Sequence, residues 1–153
     1  MQPETREKIE ALCERYPEKR GALLPALYVV QADQGFVDQA QAREVAELFG
    51  ITPVEVWEVL TFYNMFYTSP QGRHHVYFCT NLPCSLRGGR GLLKTVEAHL
   101  GIHAGQTTPD GRITLGHEEC LGSCGSAPMM RVDGQYHEDL DPEAARRIID
   151  ALE

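Results

Sequence analysis

Apolar residues in the first part of the chain recur at the spacing of amphipathic helices. Ile9, Leu12, Cys13 and Tyr16 stand at positions i, i+3, i+4 and i+7, which predicts a helix over residues 3–16. The same periodicity predicts three further helices, over residues 22–33, between Asp38 and Gly50, and from Thr52 toward Phe62. We therefore expect residues 1–65 to form a small bundle of four helices.

Two of these helices have clear start signals. Asp38 with Gln41, and Thr52 with Glu55, each place a side-chain acceptor at the N-cap and a partner three residues later. This is the pattern of a capping box. Pro53 at the first helical position strengthens the second signal, because its missing N–H would have no helical partner there.

The pattern changes after the turn at residues 70–72. Strands are predicted over residues 75–79 and 112–117, a helix over 92–100, a hairpin over 129–137 around Asp133-Gly134, and a last helix from Asp141. This β-α-β-β-α order predicts a compact α/β unit. The fold class expected for the whole chain is α+β/α/β, with an N-terminal helical bundle domain at residues 1–70 and a second domain at residues 71–153.

Four of the 5 cysteines form two close pairs in the second domain. Cys79 and Cys84 have C-x4-C spacing, Cys120 and Cys124 have C-x3-C spacing, and 35 residues separate the pairs. Each pair follows a predicted strand and lies beside glycines, where backbone N–H groups can approach sulfur closely. The arrangement indicates a metal site, and a cis bond before Pro128 would help turn its second loop into the hairpin.

Three kinds of chemistry use cysteines in this way. A disulfide framework is typical of short secreted chains, but residues 1–7 contain no apolar signal segment and Cys13 has no obvious partner. Structural zinc also takes four thiolates, most often from C-x2-C pairs. A 2Fe-2S cluster spreads four thiolates over two irons, and C-x4-C is a known half of such a site. The spacing favours the iron-sulfur cluster and leaves zinc open.

Composition limits the function classes further. The 14 basic and 22 acidic residues give a formal net charge of −8, which argues against nucleic-acid binding because phosphate recognition needs a basic face. No apolar run approaches the roughly 20 residues of a membrane span, so we expect a soluble intracellular protein without direct membrane insertion. Nucleotide-binding and nucleophile-elbow motifs are absent, no catalytic residue is predicted, and the expected chemistry is one-electron transfer.

Two other features have less specific interpretations. His117 lies close enough in sequence to Cys120 to tune a cluster, although an ordinary polar role fits it better. Trp57 and the aromatic residues from Phe62 to Tyr67 supply more aromatic surface than one helix face uses. They predict either core packing between two layers or a partner surface.

The motifs resemble those of a known family. The matching segments are residues 79–88, residues 119–124 with Ala127-Pro128-Met129, and, upstream, residues 16–20, 23–27 and 61–66. They resemble the thioredoxin-like 2Fe-2S subunit of NADH:quinone oxidoreductase, respiratory complex I, over nearly the whole chain. Ser85 departs from the bulkier residue expected beside the second cysteine, which bears on local packing and not on ligation.

The resemblance implies a thioredoxin-like 2Fe-2S domain over residues 71–153, with one 2Fe-2S cluster held by Cys79, Cys84, Cys120 and Cys124. It implies a flavoprotein partner subunit that binds FMN and NADH, together with other peripheral-arm subunits of the complex. The chain would then be an oxidoreductase subunit without a complete active site of its own. Its place would be cytoplasmic, peripheral to the cytoplasmic face of the inner membrane through the complex.

Related subunits serve NAD-linked hydrogenases and formate dehydrogenases. Thr80, Pro83 and residues 135–140 resemble the complex I members more closely. Outside the family, a structural zinc-binding adaptor module is an alternative. A thiol oxidoreductase on a thioredoxin-like scaffold is another, although the chain has no C-x-x-C pair.

Overall fold

The computed structural model describes residues 1–153, which form two compact units, Met1–Pro70 and Gln71–Glu153. The architecture is mixed, with helices in both units and a sheet in the second. No helix is long and apolar enough to cross a membrane.

The first unit contains four α-helices. They are α1 (Pro3–Cys13), α2 (Leu23–Gln34), α3 (Gln39–Phe49) and α4 (Pro53–Phe62), with a 3-10 turn at Lys19–Ala22. Consecutive helices pack on one another, α1 against α2 and α3 against α4. One hydrophobic core lies among them, with Leu27, Val45 and Leu60 almost fully buried.

Both capping boxes predicted in this unit are present. The Asp38 side chain accepts from the N–H of Gln41, and the Gln41 side chain accepts from the N–H of Asp38. Thr52 and Glu55 make the same reciprocal pair at the start of α4. Local sequence thus determines where α3 and α4 begin.

The first helix ends earlier than its periodicity predicts. It stops at Cys13, and the N–H groups of Arg15 and Tyr16 bond to carbonyls only three residues back. Pro17 accounts for the difference, because a proline ring disfavours helical geometry in the residue before it. The short 3-10 turn that follows was not predicted.

The second unit is built on a five-stranded sheet in the order β2-β3-β1-β4-β5. The strands are β1 (His74–Cys79), β2 (Gln106–Thr107), β3 (Ile113–Glu118), β4 (Met130–Val132) and β5 (Gln135–His137). β1 and β3 are parallel, and the other neighbours are antiparallel. The predicted hairpin is present, with Asp133 and Gly134 both at positive φ, as a two-residue D-G turn requires.

Three helices accompany this sheet. They are α5 (Leu82–Leu86), α6 (Gly89–Leu100) and α7 (Pro142–Asp150). Residues of α6, α7 and the strands, among them Val96, Ile149, Phe78 and Leu115, form a second hydrophobic core. The peptide bond before Pro128 is cis, as predicted.

The sequence pattern did not predict two elements of this unit, β2 and α5. β2 is a two-residue edge strand, too short to show alternation, and it exists because Gln106 and Thr107 pair with Leu115 and Thr114 of β3. The short helix α5 was not predicted either. Asn81 caps it by accepting from the N–H of Leu82, so that the second cysteine of the pair lies on a helix.

Candidate metal centre

The sheet brings the two cysteine pairs together. Cys79 is the last residue of β1, and β1 and β3 run parallel in a register that sets Cys79 beside Glu118. The carboxyl ends of both strands therefore lie at one edge of the sheet, and Cys120 follows β3 there. Cys84 lies on α5, and Cys124 starts a 3-10 turn at Cys124–Ser126. We refer to residues 79–88 as the first cysteine loop and to residues 120–128 as the second.

The two loops expose their cysteines very differently. Cys79 and Cys84 are 3% and 1% exposed and share a small apolar cluster with Leu121 and Met129. Cys120 and Cys124 are exposed, and all four are free thiols. One side of the site is thus closed by protein, while the other faces outward.

The surroundings of Cys79 favour the ionised form of its thiol. Burial opposes its ionisation, but the N–H groups of Asn81 and Leu121 and the thiols of Cys84 and Cys120 hydrogen-bond to it. These contacts hold the pKa of Cys79 below its ordinary value. They also show that the thiols of Cys84 and Cys120 each contact the sulfur of Cys79.

The pKa of Cys84 is shifted in the opposite direction to that of Cys79. Burial, together with the neighbouring Cys79 sulfur, raises the pKa of Cys84 to about 11. Cys124 adds to this rise, and the N–H of Met129 opposes it. Cys124, in the second loop, is therefore close enough to affect the pKa of Cys84 in the first.

Backbone N–H groups point at three of the four sulfurs. Besides the contacts to Cys79 and Cys84, the N–H of Gly122 donates to the sulfur of Cys120 at 3.4 Å. Gly122 has φ of 83°, a conformation that favours glycine. Four thiolates sharing two irons carry net negative charge, and such N–H groups stabilise it. The donor set therefore fits a 2Fe-2S cluster.

The first cysteine loop is held mainly by its own residues. The Ser85 hydroxyl donates to the Thr80 carbonyl at 2.8 Å, and Arg90 Nε donates to Ser85 Oγ at 3.1 Å. The Thr80 hydroxyl donates to the Glu118 carbonyl at 3.1 Å, which ties the loop to β3. A Cβ on Gly89 would lie 2.8 Å from the Cys84 carbonyl oxygen, so α6 can approach α5 only with glycine there.

The second cysteine loop is held by residues of the hairpin and of the segment that follows it. The Tyr136 hydroxyl donates to the Leu121 carbonyl at 2.6 Å, and the Glu138 carboxylate accepts from the hydroxyls of Ser123 and Ser126. Two backbone bonds join them, from Asp139 N–H to the Ser126 carbonyl at 2.8 Å and from Leu140 N–H to the Pro128 carbonyl at 3.0 Å. The sequence pattern assigned no role to Tyr136 or Glu138, although residues 135–140 belong to the segments that resemble the family.

The weaker sequence candidates do not join the site. His117 is an exposed residue of β3 whose register partner is Phe78, and it makes no hydrogen bond to the four sulfurs. No group of three or more His, Cys, Asp and Glu side chains is arranged to hold a single metal ion.

The aromatic segment divides between core and surface. Phe66 is buried in the helical core, where its ring lies 4.9 Å from the ring of Tyr28, and Tyr63 packs against the same core. Phe62 is 80% exposed and Met65 41% exposed. Trp57 is half-buried and packs against the core from the side. Core packing is therefore confirmed for Phe66 and Tyr63, whereas a partner surface at Phe62 and Met65 stays a prediction.

The chain resembles known proteins along nearly all of its length. Residues 9–153 match the family described as thioredoxin-like [2Fe-2S] ferredoxin. A subunit of the NADH-quinone oxidoreductase of Rhizobium meliloti is 47% identical over 147 residues, which are 96% of this chain and 85% of that protein. The mitochondrial NADH dehydrogenase (ubiquinone) flavoprotein 2 of Dictyostelium discoideum is 38% identical over 148 residues, 95% of this chain and 60% of that protein.

A solved structure shares the fold of most of the chain. The air-oxidized form of an NAD+-reducing [NiFe]-hydrogenase superposes with a TM-score of 0.73 and 25% identity over 86% of this chain and 22% of that one. The family match covers both cysteine pairs and the elements that bring them together. This chain belongs to the thioredoxin-like [2Fe-2S] ferredoxin family.

Proposed function

We propose that this protein is the 2Fe-2S electron-transfer subunit of an NADH:quinone oxidoreductase. The observation that carries the proposal is that the sheet brings both cysteine pairs to one edge, where the thiols of Cys84 and Cys120 contact Cys79 and backbone N–H groups are directed at three of the four sulfurs. The chain carries one 2Fe-2S cluster, which supplies a one-electron acceptor and donor. It is a component of an oxidoreductase and has no complete active site of its own.

Cys79, Cys84, Cys120 and Cys124 are the proposed ligands of the cluster. Support comes from the contacts of Cys79 with Cys84 and Cys120 and from the interaction of Cys84 with Cys124. Cys13 lies on α1 in the other compact unit and is the natural control. We also propose that the two units, Met1–Pro70 and Gln71–Glu153, are separate domains, and that the first is a four-helix bundle.

The residues around the site have distinct tasks in this function. The apolar cluster around Cys79 and Cys84 keeps water from the inner side, which favours tight coordination and limits loss of metal. Backbone N–H groups at three sulfurs stabilise the negative charge that grows when an electron arrives. Exposed Cys120 and Cys124 leave the other side open for a redox partner to approach.

The proposed partner is a flavoprotein subunit that binds FMN and NADH, within a peripheral arm on the cytoplasmic face of the inner membrane. Support comes from the surface of the first cysteine loop, where Leu82 and Leu86 are 66% and 78% exposed. No acidic residue occurs from 71 to 96, while Arg87, Arg90 and Lys94 do, although the chain carries a net charge of −8. Apolar side chains rimmed by arginines are a common composition of protein interfaces.

An NAD-linked hydrogenase is the second candidate for the parent complex. It is favoured by the superposition on the NAD+-reducing [NiFe]-hydrogenase, which extends over 86% of this chain. Co-purification of the tagged chain under native conditions separates the two. A nickel-containing partner would favour the hydrogenase, and a quinone-reactive assembly without nickel would favour NADH:quinone oxidoreductase.

Iron, sulfide and zinc analysis with low-temperature EPR on anaerobically purified protein tests the cofactor and its ligands. We expect two irons and two sulfides per chain and a rhombic signal that appears only after dithionite reduction. Cys79→Ser should abolish or shift this signal, whereas Cys13→Ser should leave it unchanged. One zinc per chain and no reducible signal would overturn the proposal in favour of a structural zinc module.

A further inference from the structure

Glu138 makes a two-point contact with the second cysteine loop. Its Oε1 accepts from Ser126 Oγ at 2.6 Å and also from the hydroxyl of Ser123. The two serine oxygens lie 2.8 Å apart. Ser123 directly precedes Cys124, and Ser126 follows it by two residues. The carboxylate therefore holds the short stretch of chain on which Cys124 sits.

This carboxylate carries a negative charge at neutral pH. The hydrogen bonds from Ser123 and then from Ser126 hold the pKa of Glu138 below its ordinary value. Glu138 itself is exposed, so its field reaches the site partly through water and is screened by salt. The site next to it is also anionic when four thiolates bind a cluster.

The negative charge of Glu138 affects how readily the neighbouring site is reduced. A 2Fe-2S cluster held by these cysteines would supply a one-electron acceptor, so reduction would add one negative charge to the site with no bond required to form or break. A fixed carboxylate nearby repels the added electron and so favours the oxidised form. The same carboxylate can act mechanically, because its two hydrogen bonds limit the positions open to Cys124.

We propose that Glu138 is a positioning residue for the cluster with two separable effects. Its hydrogen bonds to Ser123 and Ser126 hold the Cys124 segment in place, and its charge lowers the reduction potential of the cluster. The inference rests on the proposed function and on Cys124 as a ligand, and it adds a determinant outside the ligand set.

Glu138→Gln isolates the charge, since the amide oxygen can still accept from both hydroxyls. At a fixed ambient potential, we expect the ratio of reduced to oxidised cluster to rise about three- to tenfold, which corresponds to a shift of about +30 to +60 mV for one electron. The measurement is a potentiometric titration followed by EPR. The shift should shrink as salt is raised. Glu143→Gln, which removes a carboxylate from the exposed face of α7, is the matched control and should not shift the potential.

Ser123→Ala with Ser126→Ala isolates the mechanical effect, because the carboxylate remains. In the metal-free protein we expect amide hydrogen exchange to become at least threefold faster in residues 121–126 and to stay unchanged in residues 80–86. In the loaded protein we expect altered EPR g-values and faster loss of iron to a chelator. Glu138→Gln should keep near wild-type exchange in this segment.

Each effect has its own decisive outcome. An unchanged potential in Glu138→Gln overturns the electrostatic effect, and wild-type exchange in the double serine variant overturns the mechanical one. If the wild-type protein binds no 2Fe-2S cluster, the proposed function fails and the electrostatic effect fails with it. Hydrogen exchange in the metal-free protein still decides whether Glu138 holds the loop.

Discussion

The two cysteine loops reach the same site by different means. The first is ordered by neighbours in sequence: Asn81 caps α5, and Ser85 bonds back to Thr80. The second contains only a 3-10 turn and is held by Tyr136 and Glu138, which follow in the hairpin and beyond it. The buried pair, Cys79 and Cys84, is therefore positioned mainly by residues of its own segment. The exposed pair, Cys120 and Cys124, is positioned by residues that are distant in sequence.

Serine substitution of one cysteine from each loop should give the largest contrast. Cys84 is 1% exposed and lies on a helix, so Cys84→Ser would leave a poor ligand that cannot move, and we expect at least a tenfold loss of bound cluster. Cys124 is exposed on a loop that can adjust, so Cys124→Ser should retain more iron with shifted EPR g-values. Iron and sulfide per chain measure the difference, and equal losses would contradict it.

A glycine substitution should test how tightly the first loop is packed. An added Cβ in Gly89→Ala would lie 2.8 Å from the Cys84 carbonyl oxygen, so we expect a loss of about 1–3 kcal/mol in the free energy of unfolding. Gly91→Ala is the control, because nothing lies within 4 Å of its added Cβ, and it should stabilise α6 by about 0.5–1 kcal/mol. Urea unfolding of the two variants makes the comparison. A Gly89→Ala protein as stable as Gly91→Ala would show that the helices can move apart.

Removing one hydroxyl should loosen the second loop without changing its charge. Tyr136→Phe deletes the hydrogen bond to the Leu121 carbonyl, which we expect to cost about 0.5–1.5 kcal/mol. Iron should be lost to a chelator faster than from the wild type. Tyr28→Phe, in the helical unit, should release iron at the wild-type rate. Identical rates for Tyr136→Phe and the wild type would mean that Glu138 and the two backbone bonds hold the loop without the tyrosine.

The smallest predicted effect is on pH-dependent stability, and it should not distinguish the loops. Hydrogen bonds to Asp133 and to the Glu153 carbonyl raise the pKa of His74, at the opposite end of β1 from Cys79. A raised pKa in the folded state stabilises the fold fully below the unfolded pKa, near 6.5, and this contribution is lost as pH rises through the folded value. His74→Gln should therefore cost about 0.2–1 kcal/mol more at pH 6 than at pH 9. Thermal unfolding at both pH values measures it, and an equal cost at both would contradict the assignment.

Much of the fold followed from local pattern. The capping boxes at Asp38 and Thr52, the D-G hairpin and the cis bond before Pro128 were predicted and are confirmed. The 2Fe-2S family and the electron-transfer role were predicted and are confirmed by the family match and the NADH-quinone oxidoreductase relatives. The domain boundary and the four ligands stay predictions.

Other parts could not be predicted from short-range pattern. α1 ended early because Pro17 restricts the residue before it, a local effect that periodicity alone overlooks. β2 is defined only by its pairing with β3. Glu138 had no recognisable motif, since its importance comes from two serines that lie 12 and 15 residues away in sequence.

The order of residues along the chain was enough to predict most elements and to favour an iron-sulfur centre over the other uses of cysteine. Caps, turn residues and apolar periodicity act over a few neighbours, and cysteine spacing restricts which metal groups can bind. How the two pairs meet, which pair is buried and which side chains hold the exposed loop became visible only in the folded chain. Those properties depend on strand register and on contacts between distant residues, which no local pattern records.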